Sequence, residues 1–134
     1  MFSYPRMRGE EYTMKYDKNN VFARILRKEL PVQILYEDEY AFAFPDINPK
    51  APIHVLVIPK GEFISFLDFS EKASPELMVG FNKAIHNVIQ LLKLQKKGFR
   101  ILSNHGFHAG QEVPHYHIHI FGGHPLGPML SPKP

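Results

Sequence analysis

Val113-Pro114-His115-Tyr116-His117-Ile118-His119-Ile120-Phe121-Gly122-Gly123 is the stretch on which the reading of the chain turns. Its β-branched and aromatic content, and the alternation from His115 to Phe121, argue for a strand bounded by Pro114 before it and a glycine pair after it. Side chains two apart in a strand share a face, so His115, His117 and His119 point one way and Tyr116, Ile118 and Ile120 the other. The apolar face is expected to cover a core and the imidazole face to line a site. Three histidines in register are a poor way to solubilise a surface near pH 7, where imidazole is largely neutral. Metal binding or catalysis is left.

Residues four apart in a strand are separated by about 13 Å, too far for both outer imidazoles to reach one zinc at ligand distances of about 2 Å. An adjacent His-x-His pair with a further ligand from His54, His105, His108 or His124 stays open. The chain has no cysteine, which removes the common closed structural zinc sites.

The run from His115 to Phe121 resembles the His-x-His-x-His-x-x signature, x being apolar, of the histidine triad family of nucleotide hydrolases and transferases. Asn104 and Gly110-Gln111-Glu112-Val113 resemble that family's Asn and Gly-Gln loop. Asp46-Ile47-Asn48-Pro49-Lys50-Ala51-Pro52, followed by His54-Val55-Leu56-Val57-Ile58-Pro59-Lys60, resembles its other signature block. The similarity runs from about Asn19 to Leu130 and is nearest to bacterial members of the Hint-like branch, whose tails also read like Pro125-Leu126-Gly127-Pro128-Met129-Leu130.

At 134 residues, 44% hydrophobic and 22% charged, the chain is expected to form one domain over 15–134 behind a flexible N-terminal extension over 1–14. No apolar run approaches the 18 residues of a membrane span, and a secretory leader pattern is lacking, so a cytoplasmic protein with no membrane partner is expected. The net charge of +3 does not mark a nucleic-acid binder, because Arg24 to Lys28 and Lys93 to Lys97 are interrupted by apolar residues, as helix faces are. A mild positive field does favour a phosphorylated small molecule.

Asn19-Asn20 can cap a short helix from Val21 to Leu30, stopped by Pro31, with Val21, Phe22, Ile25 and Leu26 on one side. Val32 to Tyr36 and Tyr40 to Phe44 read as strands around a Glu37-Asp38-Glu39 turn, and the proline-rich Pro45 to Pro52 as a loop. Ile53 to Ile58 reads as a strand buried on both faces. Ser74-Pro75-Glu76 opens a long helix whose Leu77, Phe81, Ala84, Ile85, Val88, Ile89 and Leu92 keep a 3.6 period and which Lys96-Lys97-Gly98 closes. His86 falls off that stripe and reads as a surface residue. Phe99 to Ser103 is another strand and Asn104 to Glu112 a loop. Together these give an α+β fold: a five-stranded antiparallel sheet with one long and one short helix. The sheet keeps an open edge, and the resemblance implies that two sheets join into a ten-stranded homodimer.

For several site residues two roles compete. Val21, Phe22 and Ile25 are either a plain core stripe or, as the resemblance implies, a purine slot shared with Phe44 and Ile47. Asp46 either bonds its own turn or, by resemblance, accepts from the ribose hydroxyls. The family pattern implies that His117 is the nucleophile, held by the backbone carbonyl of His115, with His119 at the α-phosphate and bridging atom and His54 supporting the triad. It also implies that Gln111, with backbone amides of the Gly110-Gln111-Glu112-Val113 loop, binds phosphate oxygens and that Asn104 binds sugar or phosphate. The implied activity is hydrolysis of adenosine or guanosine 5′-phosphoramidates through a nucleotidyl-histidine, with no cofactor and no metal. His124, where bacterial relatives often carry Arg, bears on leaving-group preference. The rivals are a dinucleotide polyphosphate hydrolase or nucleotidyl transferase, a nucleotide-binding regulatory protein, and a metal hydrolase using His117, His119 and His54.

Overall fold

The computed structural model describes residues 15–131; the extension expected over 1–14 lies outside the described residues. Helix α1 (Val21–Leu26) leads into strands β1 (Tyr36–Glu37), β2 (Ala41–Pro45) and β3 (Ile53–Pro59). Helices α2 (Phe66–Lys72) and α3 (Pro75–Leu91) come next, then β4 (Arg100–Leu102), a 3-10 turn at Phe107–Ala109, and β5 (Ile118–Gly122). The strands form one antiparallel sheet in the order β1-β2-β3-β5-β4. This is the expected α+β architecture, with α2 added. The signal for α2 is a capping box: the Ser65 hydroxyl accepts from the Leu67 amide at 3.3 Å, while the Asp68 carboxylate accepts from the Ser65 amide at 2.7 Å. Among the described residues no helix is long and apolar enough to cross a membrane.

Two helices end earlier than the periodicity suggests: α1 at Leu26 instead of Leu30, and α3 at Leu91 instead of Lys97. Both close in the same paired pattern. Lys28 N donates to Ile25 O and Glu29 N to Arg24 O, both at 2.9 Å; Lys93 N donates to Gln90 O at 3.0 Å and Leu94 N to Ile89 O at 3.2 Å. The left-handed residue in each turn is a lysine, Lys28 at φ 63° and Lys93 at φ 58°, whereas the sequence pattern puts the stops at Pro31 for α1 and at Gly98 for α3. In α3 the turn is locked by Leu94, which enters the core beside Gly122; a Cβ on Gly122 would come within 2.7 Å of the Leu94 side chain.

The strands also start and stop differently. Asp38 Oδ1 accepts from the amides of Tyr40 and Ala41 at 2.7 and 2.9 Å, and β1 shrinks to Tyr36–Glu37, leaving Val32 to pack near α1. β5 begins at Ile118 instead of His115 because its partner β3 ends at Pro59, which has no N–H to continue the ladder. The Tyr116 amide donates instead to the Phe63 carbonyl at 2.7 Å, and the His117 carbonyl accepts from the Ser103 hydroxyl at 2.6 Å.

Alternation along the central strands feeds two cores. Ala41, Ala43, Val55, Val57, Ile118 and Ile120, with Tyr116, pack under Phe69 of α2 and Phe81, Ala84, Ile85, Val88 and Ile89 of α3. Phe42, Phe44, Leu56 and Ile58 face the other way, against Phe22 and Ile25 of α1 and Val113. Each large apolar side chain so buried contributes about 1.5–3 kcal/mol. Helix α1 is too short to cover its whole face of the sheet, and the functional residues occupy what it leaves open.

Candidate active site

In the β3–β5 ladder His54 lies opposite Phe121 and Leu56 opposite His119, so His54 and His119 are diagonal neighbours on one face. They line a cavity of about 140 Å³ together with Asp46, Ile47, Asn48, Lys50, Leu102, Asn104, Glu112 and Phe121. His119 and Phe121 stack at an interplanar angle of 4° with centroids 5.7 Å apart. His117 does not line the cavity wall. Its ring packs edge-on against His119 and Phe22, with both centroid distances 5.0 Å.

Hydrogen-bond partners fix the tautomer of each imidazole, because a backbone N–H can only donate and a carbonyl only accept. The Lys50 amide donates to His54 Nδ1 at 3.1 Å, which leaves the His54 proton on Nε2. That proton faces His119 Nδ1 at 2.9 Å and the Asp46 carboxylate at 3.4 Å. His119, accepting at Nδ1, carries its proton on Nε2. His117 Nδ1 donates to the His115 carbonyl at 2.6 Å, so its Nε2 keeps a lone pair. His115 Nε2 donates to the Pro59 carbonyl at 3.0 Å, and its Nδ1 accepts from the Tyr16 hydroxyl at 2.5 Å.

All four imidazoles titrate below the ordinary histidine value, and burial is the main cause in each. His115 is pushed down to about 4 and His119 to about 3, with the charge of neighbouring imidazoles adding to the effect. His117 goes down against the pull of the His115 carbonyl, and His54 against that of Asp46. A histidine whose folded pKa is depressed binds fewer protons folded than unfolded, so stability falls as pH drops through the unfolded value near 6.5. The loss ends only when the folded groups protonate, near 4 for His115 and near 3 for His119. For the fully buried His115 it amounts to about 3 kcal/mol. Urea unfolding followed from pH 7 to 5, above most carboxylate titration, is expected to show uptake of more than one proton; constant stability over that window contradicts this.

The ligand atoms of Asp46, His54 and His119 all lie within 4.8 Å of one another, which makes a divalent ion the rival occupant. The trio differs from the His117, His119 and His54 set suggested by sequence, and its hydrogen bonding opposes coordination. A metal-ligating histidine donates its other ring N–H to an acceptor. His54 Nδ1 instead faces the Lys50 N–H, so coordination through Nε2 would set two donors against each other.

The nucleotide-binding candidates divide by position. Asp46, Ile47, Asn104 and Glu112 line the cavity. Asp46 also plays the bland part, accepting from the Asn48 amide at 2.8 Å within its own turn. Of the five slot residues, Phe22, Ile25 and Phe44 are fully buried with Val113, whereas Val21 is half-buried and Ile47 is 49% exposed. Any slot surface open to a ligand therefore belongs to Val21 and Ile47, over a floor of the other three. Gln111 departs from its expected phosphate contact. Its Nε2 hydrogens go to the carbonyls of Ile64 and Val113 at 2.7 and 3.1 Å and its Oε1 accepts from Gly106 N at 3.0 Å, so it braces the loop around Gly110. His105, His108 and His124 are exposed and off the cavity; His105 Nδ1 lies 2.7 Å from the Ser65 hydroxyl.

Sequence reasoning passed over Asn48, Lys50, Leu102 and Phe121. Phe121 continues the period-two face of the histidines, and Asn48 and Lys50 lie in the same loop as Asp46. Leu102 arrives only through its cross-strand register with His119.

The chain is 52% identical over 116 residues to a HIT-like protein of Azospirillum brasilense, covering 87% of this chain and 95% of that one. It is 37% identical over 116 residues to the purine nucleoside phosphoramidase of Escherichia coli, covering 87% and 97%. Among solved structures, a HIT family hydrolase from Clostridium thermocellum superposes with a TM-score of 0.77 at 39% identity, covering 86% and 99%. A histidine triad protein from Clostridium difficile gives 0.77 at 33% identity, covering 85% and 98%. The HIT domain profile matches residues 27–126, and the chain belongs to the HIT domain family.

Proposed function

We propose that the protein hydrolyses purine nucleoside 5′-phosphoramidates, adenosine or guanosine, to a nucleoside monophosphate and an amine. The observation that carries this reading is the neutral His117, whose Nδ1–H is held by the His115 carbonyl and whose Nε2 therefore presents a lone pair. That lone pair attacks the α-phosphorus, and the phosphorus–nitrogen bond breaks with its electrons going to the amine. The amine nitrogen takes up a solvent proton that His119 relays, giving its Nε2–H and being reprotonated, so that the ring stays neutral. Water then attacks the nucleotidyl-histidine, the phosphorus–nitrogen bond breaks with its electrons returning to His117 Nε2, and the proton released by water goes to solvent. Asp46 and Asn104 contact the sugar, Val21 and Ile47 the base, and Lys50 offsets phosphate charge beside His119. The phosphoramidase activity named for the Escherichia coli relative supports the substrate class. Dinucleotide polyphosphate hydrolysis, which shares the nucleophile, is the second reading.

Side-by-side turnover of an adenosine phosphoramidate, its guanosine counterpart and a diadenosine polyphosphate tests this, and is repeated in EDTA. Phosphoramidate kcat/KM is expected to lead, with the two purines within about tenfold because an apolar slot discriminates weakly. Chelation is expected to leave turnover unchanged, since the nucleophile belongs to the protein. Activity abolished by EDTA and restored by zinc would instead establish the metal rival.

A homodimer joined across β4 belongs to the same proposal. β4 is an edge strand with Ile101 and Leu102 exposed, Phe99 just before it is exposed too, and so are Val79 and Leu91 of α3. Light scattering at micromolar concentration is expected to return twice the chain mass; a monomer removes the idea.

A further inference from the structure

We infer that Tyr16 is a positioning residue for the nucleophile: its hydroxyl is the outer end of a hydrogen-bond chain running through the His115 ring and backbone to His117 Nδ1. The inference rests on the hydrolase reading above and adds to it a residue outside the 27–126 match.

The chain can be followed atom by atom. His115 is completely buried, and its Nε2–H is committed to the Pro59 carbonyl at 3.0 Å. Its Nδ1 is therefore an acceptor, and the Tyr16 hydroxyl meets it at 2.5 Å. A buried acceptor left without a donor costs about 1–3 kcal/mol, so the hydroxyl is what makes this ring orientation favourable. With the ring held at both nitrogens, the backbone of His115 is held too, and its carbonyl lies 2.6 Å from His117 Nδ1. That last bond decides which nitrogen of His117 carries the lone pair.

The short segment from Tyr16 to Phe22 acts on the triad at two points. Tyr16 also meets the His115 ring edge-on at 5.6 Å, and Phe22 packs edge-on against His117 at 5.0 Å and His115 at 6.4 Å. Between them Asn20 caps α1, accepting from the Ala23 amide at 2.9 Å and donating to the Asp17 carbonyl at 2.7 Å. A residue that merely pegged the segment to the sheet would need the ring of Tyr16 but not its hydroxyl.

Tyr16→Phe separates the two cases, because it keeps the ring and removes the donor. In long-range proton–nitrogen spectra of the histidine rings, the His115 Nδ1 resonance is expected to move downfield toward a free acceptor nitrogen, with a smaller change at His117 Nδ1. In turnover, kcat is expected to fall roughly 3- to 30-fold, as the loss of one hydrogen bond to a buried acceptor allows, with KM within about twofold. A variant that lowers only the melting temperature, leaving the ring resonances or kcat as in wild type, overturns the inference. If wild type turns over no phosphoramidate, the hydrolase reading fails by itself; the ring spectra still decide whether Tyr16 governs His115 and His117. Tyr16→His, which restores a hydrogen-bonding group, is expected to recover part of the loss if the donor matters, and none if only the ring does.

Discussion

Replacing His117 with alanine or glycine is expected to lower phosphoramidate turnover by at least about 10³-fold, at or beyond the upper part of the range for losing one acid or base. Nucleotide should still bind, because the residues assigned to sugar and base, Asp46, Asn104, Val21 and Ile47, are untouched. The size of the effect follows from the kind of role. A nucleophile replaces one difficult displacement by two easier ones, and without it water must attack the substrate unaided. Loss at His115 should be smaller, because its carbonyl rather than its ring contacts His117. Quenching wild type during turnover of nucleotide-labelled substrate should trap acid-labile, base-stable label on the peptide containing His117, as a phosphorus–nitrogen bond to imidazole requires. No label, no burst and an active His117→Ala would together mean that the triad binds rather than reacts.

Much of this site was legible because period-two patterning is strict. Once Tyr116, Ile118 and Ile120 are assigned to a core, His117 and His119 must face the other way, and the two cores of the sheet follow that division. His54 was harder. The apolar strand around it suits a satisfied core residue, the family resemblance alone points it at the triad, and the β3–β5 register, which sets Leu56 opposite His119, accounts for its 2.9 Å approach. Helix ends were misjudged for a specific reason. The sequence marks the stops with Pro31 and Gly98, but the chain turns earlier, at Lys28 and Lys93, where packing of the residues that follow, Leu30 and above all Leu94, outweighs the modest cost of a non-glycine residue in the left-handed region. The reassignment of Gln111 has a similar origin. Sequence shows an amide near a phosphate-binding loop, but not that both its hydrogens are already taken by Ile64 and Val113 carbonyls.

Burial makes the histidines reactive and also costs stability. Burial holds His117 below its ordinary titration range, so the neutral ring with its directed lone pair persists from neutral pH into mildly acid solution. The same exclusion raises the stakes of every unmatched donor, and among the described residues no buried side-chain nitrogen or oxygen lacks a partner. The hydrogen-bond chains on either side, Lys50–His54–His119 and Tyr16–His115–His117, satisfy that requirement while they select the tautomers.

Removal of His119 should show this division of labour through the leaving group. With its Nδ1 occupied by the His54 proton at 2.9 Å, His119 offers Nε2–H to the bridging atom of the substrate. An amine cannot depart from phosphorus without a proton, whereas a phenol with an electron-withdrawing substituent departs readily as its anion. His119→Ala is therefore expected to slow amine release by about 10²- to 10³-fold, the range of a lost acid, and to slow release of the activated phenol from the corresponding nucleotide ester by less than about tenfold. His54→Phe should follow the same pattern in weaker form, since it leaves His119 free to place its proton on the wrong nitrogen. His117→Ala, by contrast, should depress both substrates alike, because both need the same bond to phosphorus. A His119→Ala loss equal for amine and phenol would assign His119 to phosphate binding and leave the proton of the leaving group to some other donor.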